Sequence, residues 1–352
     1  MNIRAKDVDL HLKYTFTISR GSEDVAEVVI TELEHEGIVG YGEASPSARY
    51  HESRTTVREF LRKVQLGRWE SPFLLEEIDR SLDSITQWSG AARASVDIAL
   101  HDWVGKSLGM PLWKLWGLDR RKTPRTSYTV GLDRLDVMER KVREAEEFPI
   151  LKVKVGVPED REIIRTIRNV TDKPVRVDAN EGWRTKEVAL EKIKWLEGEG
   201  IEFVEQPMPA QDLASCAWLR ERVNLPIIAD ENCVRLQDIP KLKDAFDGIN
   251  IKLMKCGGLR EAMRMIHTAK AFGMKIMLGC MIESSVAISA AAHLSPLVDY
   301  ADLDGHILIT DDPFVGVKVV DGKLELNDSP GLGVVPRTES PRLTSRLVDR
   351  RC

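Results

Sequence analysis

Leu151-Lys152-Val153-Lys154-Val155-Gly156 opens a series that continues with Val175-Arg176-Val177-Asp178, Phe203-Val204-Glu205, Ile227-Ile228-Ala229-Asp230 and Asn250-Ile251-Lys252. Each member is a short apolar run that ends on a charged residue. The ends Lys154, Asp178, Glu205, Asp230 and Lys252 are spaced by 24, 27, 25 and 22 residues, about one strand plus one helix each. Working outward, the strand-like stretches are Ser127 to Gly131, Leu151 to Gly156, Val175 to Asn180, Phe203 to Pro207, Pro226 to Glu231, Gly248 to Leu253, Lys275 to Cys280 and Tyr300 to Gly305. Intervening segments such as Lys186 to Leu196 and Leu259 to Ala271 carry helical periodicity. Alternation of strand and helix implies parallel pairing with right-handed crossovers, and eight units fit a closed β/α barrel better than an open sheet.

The flanks read differently. Glu27 to Glu32 and Gly40 to Ala44 read as antiparallel strands joined at Glu36-Gly37, and Ala91 to Leu108 as a helix stopped by Gly109. After the barrel, Val315 to Val320 and Lys323 to Leu326 flank Asp321-Gly322, a strong hairpin signal. A hairpin has no place in a finished barrel, so the chain is expected to re-enter its first domain. The expected organisation is an α+β capping domain at 1–118, a (β/α)7β TIM-like barrel at 119–313, and a C-terminal return to the cap at 314–352. The tail arginines Arg342, Arg346, Arg350 and Arg351 read as a solvated helix or frayed end.

Composition narrows the function. With 352 residues, 43% hydrophobic and 30% charged, the chain is long enough for a large core and too apolar for disorder. Lys and Arg number 51 against 56 Asp and Glu, a net charge of −5, so no basic field points to nucleic acid or to a membrane surface. The five cysteines, Cys216, Cys233, Cys256, Cys280 and Cys352, fit neither a zinc knuckle nor a disulfide framework and suggest a reducing cytoplasm. No stretch has the length of a signal peptide core or of a membrane span, and Cys352 lacks a prenylation box. A small-molecule partner is the expectation, with room for a homo-oligomer.

In a β/α barrel the chemistry sits at the C-terminal ends of the strands. Side chains alternate with period two, so Lys152 shares a face with Lys154, and Asp302 with Asp304. By the same rule Glu231 should point away from Asp230, and Glu202 lies near the wrong end of its strand. Asp178, Glu205 and Asp230 on adjacent strands would repel one another unless a cation sat among them. Oxygen-only ligation without histidine or cysteine points to Mg²⁺. Such carboxylates also cap helices or pair with lysines, but three in succession flanked by lysines favour the metal. Lysines on both sides suggest abstraction of a proton next to a carboxylate, with the enolate stabilised by the metal and nearby cations. Lys152 beside Lys154 and a metal is expected to depress a lysine pKa through like charge and desolvation.

These stretches, with Val177-Asp178-Ala179-Asn180-Glu181-Gly182-Trp183, Val204-Glu205-Gln206-Pro207, Lys252-Leu253-Met254-Lys255-Cys256-Gly257-Gly258 and Ala301-Asp302-Leu303-Asp304-Gly305, resemble the enolase superfamily. Within it the chain resembles the muconate-lactonizing-enzyme subgroup and its dipeptide epimerases, of the L-Ala-D/L-Glu type, over nearly its whole length. The resemblance implies Mg²⁺ on Asp178, Glu205 and Asp230, and Lys154 and Lys252 as an acid/base pair on opposite faces of the substrate α-carbon. It implies inversion of the C-terminal residue of a dipeptide by two-base 1,1-proton transfer. Lys152 would support the enolate, Asp302 and Asp304 would hold the substrate ammonium, and Thr129, Cys280 and Ile282 would line the pocket. Lys255 is a competing base, out of phase with Lys252.

One departure bears on the substrate. Where relatives place an arginine after an Arg-Gly-Ser run, this chain has Ser19-Arg20-Gly21-Ser22 followed by Glu23. A carboxylate there favours a cationic or neutral C-terminal residue in an L-Ala-Xaa substrate unless Arg20 compensates. Glu52, in Arg49-Tyr50-His51-Glu52, is expected to add another carboxylate near the pocket. The competing functions are a cycloisomerase or o-succinylbenzoate synthase, which have no use for Asp302 and Asp304, a Schiff-base aldolase using Lys252, and a non-catalytic ligand-binding barrel. His267 and His293 read as surface or core histidines rather than bases.

Overall fold

A computed structural model describes residues 1–86 and 89–337. The arginine-rich tail and Cys352 lie outside the described residues. The chain begins with an antiparallel sheet of β1 (Asn2–Ile18), β2 (Gly21–His35) and β3 (Ile38–Ala44), followed by helices α1 (Arg54–Lys63), α2 (Leu75–Asp83) and α3 (Gly90–Ser107). β1 went unread in the sequence because its face toward solvent is charged and its alternation breaks where the pairing with β2 slips between His11 and Phe16. The Glu36-Gly37 turn and the α3 boundaries fall where turn and breaker residues place them.

α3 is buried along almost its entire length, and its buried polar groups Asp97 and Asp102 each find backbone N–H donors. It lies against β3 on one side and the barrel's sixth-strand segment on the other. Gly40 and Gly42 make the first contact possible, because a Cβ on either would overlap the Ala99 or Ser95 carbonyl of α3. Asp97 of α3 accepts from the Leu259 N–H at 2.5 Å and so caps the barrel helix Leu259–Ala271. Glu43 of β3 does the same for Ser285–Leu294, taking the Ser284 N–H at 2.8 Å and the Ala287 N–H at 3.1 Å. Burial pushes the Glu43 carboxyl up to about 7. Cap and barrel are thus joined through buried carboxylates as well as the apolar cluster of Leu10, Ala26, Val28, Ile282 and Ile309.

Eight parallel strands follow: β4 (Tyr128–Val130), β5 (Leu151–Lys154), β6 (Val175–Asp178), β7 (Ile201–Glu205), β8 (Ile227–Ala229), β9 (Gly248–Lys252), β10 (Lys275–Gly279) and β11 (Tyr300–Asp302). They pair in chain order, and a Thr126–Ala301 bridge with the Ser127 N–H 3.2 Å from the Ala301 carbonyl closes the ring. Register puts the charged ends level: Lys154 opposite Asp178, Asp178 opposite Glu205, and Lys252 and Asp302 on either side of Gly279. Two residues below, the same inward phase supplies Arg176, Phe203, Ile228, Met277 and Tyr300. Arg176 stacks over the Phe203 and Tyr300 rings at 5.4 and 5.1 Å and pairs with Glu202 at 2.8 Å, closing the barrel floor.

The hairpin Lys318–Val320 and Lys323–Glu325 pairs with itself and adds no strand to the β1–β3 sheet. Its turn touches the barrel's lower rim, where the Gly322 carbonyl accepts from the Thr126 N–H at 2.8 Å. The chain then reaches α3, with Asp102 accepting from the Leu332 N–H at 2.8 Å. Of the described residues, no helix is long and apolar enough to cross a membrane.

Because Gly42 has no room for a side chain, Gly42→Ala should cost about 1–3 kcal/mol or more. A urea midpoint equal to the parent's would show that β3 and α3 can part without penalty.

Candidate active site

The strand-end carboxylates converge as their spacing requires. One oxygen from each of Asp178, Glu205 and Asp230 lies within 4.8 Å of the others, and all three residues are buried. That donor set is what a hard divalent cation takes. Asn250 orients Glu205, donating from Nδ2 to Oε1 at 2.7 Å. Asn250 in turn depends on Gly279, since a Cβ there would lie 2.6 Å from Asn250 Oδ1. The same crowding explains why the seventh strand ends on glycine rather than on a larger functional residue.

Four amines surround the carboxylates. Lys154 Nζ is 2.7 Å from Asp178 Oδ2 and Lys252 Nζ is 2.8 Å from Asp230 Oδ2, so these two lysines stand at opposite ends of the triad. Lys152 lies between Glu205 and Asp302, 2.7 Å from each. By strand phase Lys255 points away from Lys252. Its one-turn helix, Leu253–Cys256, folds it back, and its Nζ sits 2.5 Å from Asp230 Oδ1 and 3.0 Å from the Asn250 carbonyl. Lys255 therefore anchors Asp230, and only the turn after β9 reveals it.

Charge neutralisation sets the protonation. Burial alone would lower the Lys152 ammonium, but Asp302, Glu205 and Asp178 hold it well above its usual range. Lys252 is likewise raised: burial lowers it, but Asp230, Glu205 and Glu231 together outweigh burial. Among the protein's own residues Lys152 and Lys252 are raised because each faces a carboxylate at contact distance. Burial works against Asp178 and Asp230 too, yet Lys154 and Lys152 hold the first low and Lys252 and Lys255 the second. Glu205 is pushed up to about 7 by burial and by Asp178.

The strand-eight pair divides. Asp302 is fixed by Lys152 and by the Ser127 hydroxyl at 2.6 Å. Asp304 accepts the Thr129 N–H at 2.6 Å and is pushed up to about 7 by burial and by Asp302. Thr129 is therefore at the same corner of the mouth. The Cys280 thiol lies 3.3 Å from the Asp302 carbonyl and burial pushes it well up, which suits a wall residue and not a nucleophile. The Ile282 side chain packs into the cap–barrel cluster, and its carbonyl takes the Ser45 hydroxyl at 2.9 Å. His267 is exposed, and His293 is buried with its Nδ1 3.2 Å from the Trp113 N–H.

Two expectations about the rim, for Glu231 and Glu52, are corrected. Glu231 does not point away: β8 ends at Ala229, so strand alternation no longer applies, and the buried Glu231 faces Arg20 at 2.7 Å. Arg20 Nη1 is shared, lying also 2.7 Å from the Asn180 carbonyl and 3.2 Å from Glu181 Oε2. Glu52 is not a pocket carboxylate. It caps α3, taking the Ser89 hydroxyl at 2.9 Å and the Ala91 N–H at 3.2 Å, and burial pushes it up to about 7.

A closed parallel barrel with carboxylates on three successive strand ends, lysines on both flanks and a separate α+β cap defines an enolase-type site. The chain belongs to the mandelate racemase/muconate lactonizing enzyme family: the N-terminal domain of that family matches residues 2–117 and the enolase C-terminal domain-like family matches residues 136–340. It is similar to an L-Ala-D/L-Glu epimerase of Bacteroides thetaiotaomicron, 51% identical over 93% of this chain and 86% of that one. Among solved structures it is similar to a dipeptide epimerase from Enterococcus faecalis complexed with Mg and L-Leu-L-Tyr, with 35% identity, a TM-score of 0.89 and coverage of 94% and 98%. A dipeptide epimerase from Methylococcus capsulatus complexed with Mg and L-Arg-D-Lys gives 32% identity, a TM-score of 0.86 and coverage of 95% and 99%.

The burial of Glu52 has a pH signature. Its folded pKa lies above the ordinary 4.5, so its protonated form is favoured by folding, and the associated stability is lost as pH rises from about 4.5 to about 7. Glu52→Gln should therefore gain on the parent across that window in denaturant midpoints. A constant difference between the two proteins would refute the assignment.

Proposed function

We propose that this chain is a Mg²⁺-dependent dipeptide epimerase that inverts the α-carbon of the C-terminal residue, with Lys154 and Lys252 as the two bases. The observation that carries this reading is the placement of those amines at opposite ends of the Asp178–Glu205–Asp230 triad. Asp178, Glu205 and Asp230 would hold the ion, which when bound supplies positive charge against the negative charge that develops on the substrate carboxylate as the α-proton leaves. One lysine takes the proton and the other, already charged, delivers one to the opposite face, which inverts the centre. Lys152 stays charged between Glu205 and Asp302 and adds to the stabilisation of the enolate. Asp304, with its Thr129 N–H contact, and Asp302 would receive the substrate ammonium.

The substrate reading is an L-Ala-Xaa dipeptide with a cationic or neutral C-terminal residue. Arg20 is committed to Glu231, Glu181 and the Asn180 carbonyl, so it does not offset Glu23. Glu23 pairs directly with Phe16, so the two side chains share a face, and the Phe16 ring centroid is 5.8 Å from Lys154 Nζ. Among the described residues the Glu23 carboxylate has no hydrogen bond or ion pair, and desolvation raises its pKa.

In deuterated water with Mg²⁺, the wild-type chain should exchange the α-hydrogen of the C-terminal residue of an L-Ala-Xaa dipeptide. Lys154→Ala and Lys252→Ala should each lose epimerisation, and each should retain at most exchange from one stereoisomer. A dipeptide library left entirely unlabelled by the wild type sinks the assignment. Across the library, kcat/KM should favour L-Ala-L-Lys or an apolar partner over L-Ala-L-Glu, and Glu23→Gln should narrow the preference about tenfold. A wild type fastest on L-Ala-L-Glu would reverse the role given to Glu23.

A further inference from the structure

Two cap loops reach the barrel mouth from different parts of the chain, and both end on one carboxylate. Arg49, in the short turn after β3, grips Glu181 with both ends of its fork: Nε is 2.8 Å from Oε2 and Nη2 is 2.9 Å from Oε1. Arg20, at the tip of the β1–β2 hairpin, adds its contact to Oε2, and the Ala210 N–H fills the remaining position on Oε1 at 2.8 Å. Every acceptor position of Glu181 is thereby occupied, two of them by the bidentate geometry that gives arginine–carboxylate pairs their strength.

Glu181 occupies a costly backbone position. Asn180 has φ of 43° and Glu181 has φ of 65°, left-handed values that side chains other than glycine adopt only under constraint. The segment turns there immediately after Asp178. Asn180 links the two ends of the contact: its carbonyl accepts from Ser19 Oγ at 2.9 Å and from Arg20, while its N–H donates to Asp178 Oδ1 at 2.9 Å. A shift of the Arg20 loop at Asn180, or of the Arg49 loop at the adjacent Glu181, is thus transmitted to Asp178, two residues before Asn180.

From this we propose that Arg49 and Glu181 are positioning residues: they clasp both cap loops over the barrel mouth and, through Asn180, set the orientation of Asp178. The clasp touches neither of the lysines assigned as bases. Its kinetic consequence rests on the epimerase reading, but its mechanical consequence does not. Closing the loops excludes water from the mouth, and by linkage anything that loosens the loops must weaken a cation held by Asp178 to the same extent that the cation tightens them.

Arg20 and Arg49 are themselves trypsin sites, which gives a readout independent of activity. In the full-length chain, Glu181→Gln should be cut at Arg20 or Arg49 about tenfold faster than the parent and should bind Mg²⁺ about tenfold more weakly by calorimetry. Arg49→Gln, altered on the cap side alone, should show the same weakening of Mg²⁺ and faster cutting at Arg20, with Arg49→Lys intermediate. With an L-Ala-Xaa dipeptide, KM should rise by more than kcat falls. Parental cleavage rates and parental Mg²⁺ affinity in both Gln variants overturn the clasp, and faster cleavage with parental Mg²⁺ affinity overturns its link to Asp178. If the wild type acts on no dipeptide, the epimerase reading falls while the trypsin and calorimetry results still decide the clasp.

Discussion

Five buried carboxylates, Asp178, Glu205, Asp230, Asp302 and Asp304, share the barrel mouth with four amines, Lys152, Lys154, Lys252 and Lys255. At about 4 Å and an effective dielectric near 20, each like-charge pair costs about 4 kcal/mol, so the mouth holds together only if charge is matched residue by residue. The amines achieve most of that matching at distances of 2.5–2.8 Å. Carboxylates outnumber amines by one, and burial together with a neighbouring carboxylate pushes Glu205 and Asp304 up to about 7. The site is therefore biased toward taking up positive charge, which is what an ion at the triad and an ammonium at strand eight would bring.

The same balance separates chemistry from recognition. Every residue assigned to proton transfer or metal ligation lies on the barrel, at strand ends held level by main-chain register, and does not depend on the cap for its position apart from Asp178's contact with Asn180. The residues proposed to bear on substrate choice, Glu23 and its cross-strand neighbour Phe16, belong to the long β1–β2 hairpin. Relatives crystallised with L-Leu-L-Tyr and with L-Arg-D-Lys share the scaffold. A rigid barrel beneath replaceable loops is a physical route to that range, because loop side chains can change without disturbing the charge balance below.

Cap and barrel are nonetheless joined by more than apolar contact. Asp97 and Glu43, both from the cap, serve as N-caps for barrel helices, and Glu52 caps the cap's own central helix. Glu52 reads from the sequence as pocket lining, because a capping carboxylate and a ligand-facing one have the same local sequence. What distinguishes them is which helix end comes to lie against them.

Strand-to-strand spacing, period-two alternation and turn residues carried the barrel, the triad and the flanking lysines in the sequence itself, since those depend on local repeats and on one register rule. The structure alone decided the roles of Lys255, Glu231, Glu52 and Arg20. Each lies just outside a regular element, where alternation stops predicting direction, and each is defined by a partner at least twenty residues away. It also set the direction of the Lys152 and Lys252 shifts, because the sign of a buried pKa shift depends on the distance to the nearest opposite charge. Local pattern states which residues share a face; only packing states which charges touch.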